Sequence, residues 1–114
     1  MAGAGAKAMA FTIYDLEARV HERATATGEV SYTRKLLDRG VGQCAKKLGE
    51  EAVELALAAV GEARERVVGE AADVMYHLVV LLEARGIKLA EVEAELSQRT
   101  KKSGLEEKAS RPRE

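Results

Sequence analysis

Two long stretches of this chain are apolar around most of a helical circumference, yet each carries a pair of acids within its apolar run. In the first, Glu50-Glu51-Ala-Val-Glu54 continues straight into Leu-Ala-Leu-Ala-Ala-Val60. In the second, Glu70-Ala-Ala-Asp73 continues into Val-Met-Tyr-His-Leu-Val-Val-Leu-Leu82. At the helical period, Leu48, Ala52, Leu55, Ala56 and Ala59 cover one side of the first stretch, and Val53, Leu57 and Val60 another. The polar stripe left over is narrow, made of Lys47, Glu50, Glu51 and Glu54. A helix apolar nearly all round is expected to be buried, not to lie on a surface. Only Gly61-Glu-Ala-Arg64 separates the two stretches, which suits an antiparallel helix hairpin.

The acids follow the geometry of such a hairpin. Glu51 and Glu54, and likewise Glu70 and Asp73, are three residues apart and so share a helix face. Glu54 with Glu70, and Glu51 with Asp73, are each centred on residue 62 in the turn, which places them level with one another across the hairpin. Carboxylates in an apolar setting are costly unless a cation compensates them. The flanking sequence predicts no local basic partner for the four. Glu54 has Glu50 and Glu51 at helical spacing, and Asp73 has Glu70, Tyr76 and His77. The pattern therefore predicts a bound metal in preference to a solvated acidic face. Oxygen donors without cysteine suit a hard cation, Mg²⁺ with Mn²⁺ as the alternative. A di-iron bundle would need Glu-x-x-His, and His77 stands at the wrong spacing from both Asp73 and Glu70. Mg²⁺ seldom sits in a complete protein cage and shares itself with substrate phosphates.

The rest of the composition agrees with a helical bundle. A chain of 114 residues is a single domain, and its 4% aromatic content with one proline gives a helical profile. A core this small is readily completed by dimerisation. The net charge of −1 carries no basic excess to suggest nucleic acid. Cys44, the sole cysteine, excludes an internal disulfide and reads as a small buried residue in a reducing compartment. No apolar run reaches membrane-spanning length and no secretory segment opens the chain, so a cytoplasmic protein is expected.

Along the chain, residues 1–10 read as a flexible arm, residues 11–100 as the all-α domain and residues 101–114 as a disordered charged tail. Thr12-Ile-Tyr-Asp15 predicts a capping box, and Ile13, Leu16, Val20 and Ala24 the inner face of a first helix stopped near Gly28. Ser31 to Arg39 reads as a loop entering a short helix ended by Gly40. Gly42 permits a break before the main helix, Gln43 to Val60. The second arm of the hairpin is expected from Arg64 to Arg85 with Gly86 as its cap, and Leu89, Val92 and Leu96 mark a shorter last helix. The expected fold class is all-α: a helical bundle whose central antiparallel hairpin carries the acidic metal site.

Three segments, in this order and spacing, resemble one family: Ser31-Tyr-Thr-Arg-Lys-Leu-Leu, Lys46-Lys-Leu-Gly-Glu-Glu-Ala-Val-Glu54 and Glu70-Ala-Ala-Asp-Val-Met-Tyr-His-Leu78. They are similar to the phosphoribosyl-ATP pyrophosphohydrolases of histidine biosynthesis, relatives of the MazG-like all-α nucleotide pyrophosphohydrolases. The resemblance runs roughly from Phe11 to Thr100. It implies Mg²⁺-dependent hydrolysis of phosphoribosyl-ATP to phosphoribosyl-AMP and pyrophosphate by a homodimer, with each site near the subunit interface. Glu51, Glu54, Glu70 and Asp73 would be the metal ligands, and Glu50 would orient or deprotonate the attacking water. Lys35, Lys46 and Lys47 would contact phosphates, with Ser31 and Thr33 as hydroxyl donors and Arg34 and His77 as further substrate contacts. Many relatives are fused to a cyclohydrolase whose cysteine and histidine ligands are absent here, so the chain looks like the single-function form, handing its product to a separate cyclohydrolase. Two other readings share the pattern: a house-cleaning hydrolase of non-standard nucleoside triphosphates, and a non-catalytic helical dimerisation module.

Overall fold

The computed structural model describes residues 10–101, and the expectations for the arm and the charged tail fall almost wholly outside them. Within that span lie five helices and no strand: α1 (Ile13–Thr25), α2 (Tyr32–Asp38), α3 (Val41–Gly61), α4 (Arg64–Ala84) and α5 (Leu89–Thr100). The all-α expectation holds, and so does the central hairpin. α3 and α4 are each 21 residues long and only Glu62 and Ala63 join them, so the two arms run flush in opposite directions. They form the largest interface between elements in the fold, and α1 and α2 pack against the hairpin.

Local chemistry sets most of the boundaries. Thr12 Oγ1 accepts from the Asp15 amide at 3.2 Å while Asp15 Oδ2 accepts from the Thr12 amide at 2.8 Å. This reciprocal box satisfies two amides that no helical carbonyl can reach. Ser31 Oγ caps α2 by accepting from the Arg34 amide. Between α2 and α3 the chain turns at Gly40, whose φ of 93° lies where an L side chain is strained. Gly86, at φ 68°, ends the turn after α4. The main helix therefore begins at Val41, two residues before the expected start, and Gly42 lies inside it.

The core gathers Val20 of α1, Leu36 of α2, Cys44 of α3, Val79 and Val80 of α4, and Leu89 of α5. Ile13, Leu16, Leu37, Tyr76 and Leu82 pack around them. Polar ties lock the layers at the margin of that core. His21 Nδ1 lies 3.0 Å from Glu83 Oε2, and Glu17 Oε2 accepts from the Leu89 amide at 2.8 Å, which fixes the entry to α5. The Thr33 hydroxyl, fully buried, pairs with the Tyr76 hydroxyl and joins α2 to α4.

One expectation fails in the single chain. α3 was expected to be covered nearly all round, but only Cys44 and Ala58 of it are buried. Val53, Leu57 and Val60, on the side turned from α4, are 59%, 66% and 88% exposed. Val68 and Met75, seven residues apart on α4, are exposed as well. The reason is a shortage of elements: α4 covers one side of α3, α2 meets its N-terminal part, and among the described residues no further helix packs extensively against it. No helix among the described residues is long and apolar enough to cross a membrane.

Candidate metal centre

Near the middle of the hairpin, Glu51 from α3 and Glu70 and Asp73 from α4 each offer a carboxylate oxygen within 4.8 Å of the others. These are residues that the level-by-level pairing brings together. Glu70 lies deepest, at 5% exposure, while Glu51 is half-buried and Asp73 is open to solvent. Glu54 stands outside the group of three and is exposed. Its charge nevertheless acts on both Glu70 and Arg66, so it borders the same site.

Glu70 carries the strain of the cluster. Burial pushes its carboxyl above the ordinary glutamate value, and the nearby charges of Glu54, Asp73 and Glu51 push in the same direction while Arg66 opposes them. Its Oε2 accepts from Arg66 Nη2 at 3.0 Å; its Oε1 is buried without a hydrogen-bond partner. A buried, unpartnered carboxylate oxygen in a residue grouped with two more acids could serve as a donor to a cation. The set is all oxygen, mixed in burial and open on one side, and this fits Mg²⁺ or Mn²⁺, which keep waters and share substrate oxygens.

The expectation that the acids lack basic neighbours needs correction. Arg66 lies one turn before Glu70 and bridges it to Glu62, while Lys47 lies one turn before Glu51, with Nζ 3.7 Å from it and 3.4 Å from Glu50. Both spacings are plain in the sequence, since long basic side chains reach a carboxylate four residues on. Each cation is largely spent on a second acid: Glu50 is the main cause holding the Lys47 ammonium above its usual value, and Glu62 does the same for Arg66. Neither reaches Glu70 Oε1.

His77 forms the buried floor beside the acids, at 6% exposure and edge-on to the Tyr76 ring. Burial holds its imidazole below the ordinary histidine value, against the pull of Glu51 and Asp73, so the neutral ring is favoured at neutral pH. Its Nδ1 has no hydrogen-bond partner among the described residues.

The other expected substrate contacts are dispersed. Ser31 Oγ is engaged as a helix cap and Thr33 is turned inward against Tyr76. Arg34 donates to the Ala26 carbonyl at 2.9 Å and pairs with Asp38, which ties it to the α1–α2 loop. Lys35, Lys46 and Lys47 do come together. They line a cleft of about 360 Å³ between α2 and α3, with Tyr32, Arg39 and Gln43 among its other walls. Those last three were not singled out in the sequence, because each has an ordinary solvated reading until α2 is folded against α3. Glu50, paired to Lys46 and Lys47, sits where the cleft meets the acids.

An all-α chain that gathers acids from both arms of a helix hairpin beside a lysine-lined cleft has the build of a helical enzyme acting on phosphate anhydrides. Comparison with known proteins makes the assignment particular. The sequence model of the Phosphoribosyl-ATP pyrophosphohydrolase family matches residues 13–100. Phosphoribosyl-ATP pyrophosphatase 1 of Rhodopseudomonas palustris is 60% identical over 104 residues, covering 91% of this chain and 97% of its own. The protein of the same name from Bradyrhizobium diazoefficiens is 62% identical over 101 residues, covering 89% and 95%. The phosphoribosyl-ATP pyrophosphatase of Rhizobium meliloti is 52% identical over 101 residues, covering 89% and 94%. The chain belongs to the phosphoribosyl-ATP pyrophosphohydrolase family, a family of hydrolases.

Proposed function

We propose that this chain hydrolyses phosphoribosyl-ATP to phosphoribosyl-AMP and pyrophosphate, the second step of histidine biosynthesis, with a divalent cation held by Glu51, Glu54, Glu70 and Asp73. The observation that carries the reading is Glu70, grouped with Glu51 and Asp73 and holding a buried Oε1 that no hydrogen bond satisfies among the described residues, in a chain of this family. Mg²⁺ is the expected ion and Mn²⁺ a substitute. When bound, it supplies charge neutralisation at phosphate oxygens and lowers the pKa of water.

The chain's own residues do the remaining work. Glu50, at the junction of cleft and acids and held by Lys46 and Lys47, orients the attacking water and receives its proton. Water adds to one of the two phosphorus atoms that flank the α–β bridging oxygen. The bond from that phosphorus to the bridge breaks, and the bridging oxygen leaves with the other product, which separates phosphoribosyl-AMP from pyrophosphate. Lys46 and Lys47, beside Glu50, hold oxygens of the phosphates that react, which is most of what such a transfer asks of a protein. Lys35 meets a phosphate farther along the cleft. His77, neutral and unpartnered, presents a hydrogen-bonding nitrogen from the floor of the site. Ser31, Thr33 and Arg34 act by fixing α2, through the contacts that already occupy them.

The exposed apolar back of the hairpin supports a homodimer in which Val53, Leu57, Val60, Val68 and Met75 are covered. The reading includes a cytoplasmic enzyme of residues 11–100, with phosphoribosyl-AMP passing to a separate cyclohydrolase. The test is pyrophosphate release from phosphoribosyl-ATP, titrated with Mg²⁺ and with a chelator, beside a panel of nucleoside triphosphates. Chelator-sensitive release specific to phosphoribosyl-ATP is expected. A preference for damaged or non-standard triphosphates would reassign the chain to the house-cleaning hydrolases. In Glu51→Ala or Asp73→Ala, turnover falls by orders of magnitude while helical content is kept; a non-catalytic module would lose nothing.

A further inference from the structure

The cleft between α2 and α3 carries more positive charge than the acids beside it use. Lys35, Arg39, Lys46 and Lys47 line it against a single carboxylate, Glu50. Lys46 and Lys47 both lean on Glu50, but Lys35 and Arg39 have no carboxylate partner among the described residues. Lys35, in the last turn of α2, and Arg39, its C-cap, are four residues apart and of like charge, so neither can neutralise the other. Tyr32, more than half exposed, stands at the same wall and offers an aromatic face. Along α3 the cleft runs back from Glu50 to Gln43, seven residues or roughly 10 Å at the helical rise. Its volume lies within the usual range of small-molecule sites, roughly 300–1,000 Å³.

Granting the proposed reaction, the triphosphate of the substrate belongs with the acids and their cation. An anion bound by Lys35 and Arg39, at the far end of the cleft, must then be a different one. Phosphoribosyl-ATP has such a second anionic end, the monophosphate of its phosphoribosyl group, and ATP does not. We propose that the α2–α3 cleft seats the phosphoribosyl monophosphate through Lys35 and Arg39, with Tyr32 against its sugar, and thereby selects phosphoribosyl-ATP over ordinary nucleoside triphosphates. Arg39 is suited to the task because its planar guanidinium can give two parallel hydrogen bonds to one phosphate. The assignment rests on the proposed reaction but is tested separately from it.

The experiment compares the wild-type protein with Lys35→Ala, Arg39→Ala and the double variant, after circular dichroism and thermal unfolding have shown the fold intact. For phosphoribosyl-ATP, KM rises about tenfold or more in each single variant, the loss of roughly one charge-assisted contact, while kcat falls far less. Inhibition by ribose 5-phosphate, which carries the second anionic end alone, weakens in parallel; inhibition by pyrophosphate does not. The swapped pair Lys35→Arg with Arg39→Lys recovers much of the lost affinity. An unchanged KM, or a loss of pyrophosphate inhibition in place of ribose 5-phosphate inhibition, would overturn the assignment while leaving the reaction intact. A wild-type protein that releases no pyrophosphate from phosphoribosyl-ATP would end the reaction and the assignment together.

Discussion

Glu70 is the residue at which stability and function pull in opposite directions. Its raised pKa means that the fold favours the protonated acid, so its contribution is full below the pKa of an unfolded glutamate, about 4.3, and is lost as pH rises through the folded value. At neutral pH without metal, the ionised carboxylate is a burden. Glu70→Gln is therefore expected to raise the thermal midpoint at pH 7 in the presence of chelator, with an advantage that shrinks as the pH approaches 4.3. Adding Mn²⁺ should reverse the order: wild type gains stability by linkage and the variant gains little. Scanning calorimetry at several pH values, with and without Mn²⁺, reads both effects; a variant less stable than wild type in chelator would refute them. His77 works in the other sense. Its lowered pKa means that the fold prefers the neutral ring, so stability is present above the unfolded value of about 6.5 and declines as pH falls below it. The acid-side slope just below that pH should flatten in His77→Gln.

At the scale of elements, the turn at Gly40 aims α3 and so sets the width of the cleft. Its φ of 93° with ψ of 173° belongs to a region open to glycine almost alone. A Cβ built there would meet nothing within 4 Å, so the cost of Gly40→Ala is conformational, not a clash. Such strain amounts to about 1–3 kcal/mol, to be read as a lower urea midpoint with unchanged slope. The expected break at Gly42 shows what local reading misses. Two glycines two residues apart are equally permissive, and the packing of Cys44 against Leu36 selects between them, with the Cys44 amide bonded to the Gly40 carbonyl. The Thr12–Asp15 box, in contrast, was legible in full because every group that it needs lies within four residues.

For the whole molecule, the open question that the fold poses is what covers the back of the hairpin. Each large aliphatic side chain left in water forgoes about 1.5–3 kcal/mol relative to burial. Val53, Leu57 and Val60 form one continuous stripe on that face. Leu57→Glu should convert a dimer of the wild-type protein to a monomer in sedimentation at micromolar concentration, since a charge there would be buried unpaired. Wild-type protein that sediments as a monomer at all concentrations would refute the dimer.

Periodicity and spacing alone determined that the chain is helical, where its hairpin turns, and that acids from both arms stand level, because those features depend on helical geometry and on a turn of a few residues. The tertiary structure decided the rest. It showed that Arg66 and Lys47 share the acids without satisfying Glu70 Oε1, that Thr33 is spent on Tyr76, and that Lys35 and Arg39 look across a cleft toward Lys46. It also left one side of α3 bare where sequence pattern predicted cover. Hydrophobicity records that a face seeks burial and charge records that a group seeks a partner; which partner it meets depends on how α1 and α2 close over the hairpin, and that is a property of packing between distant segments.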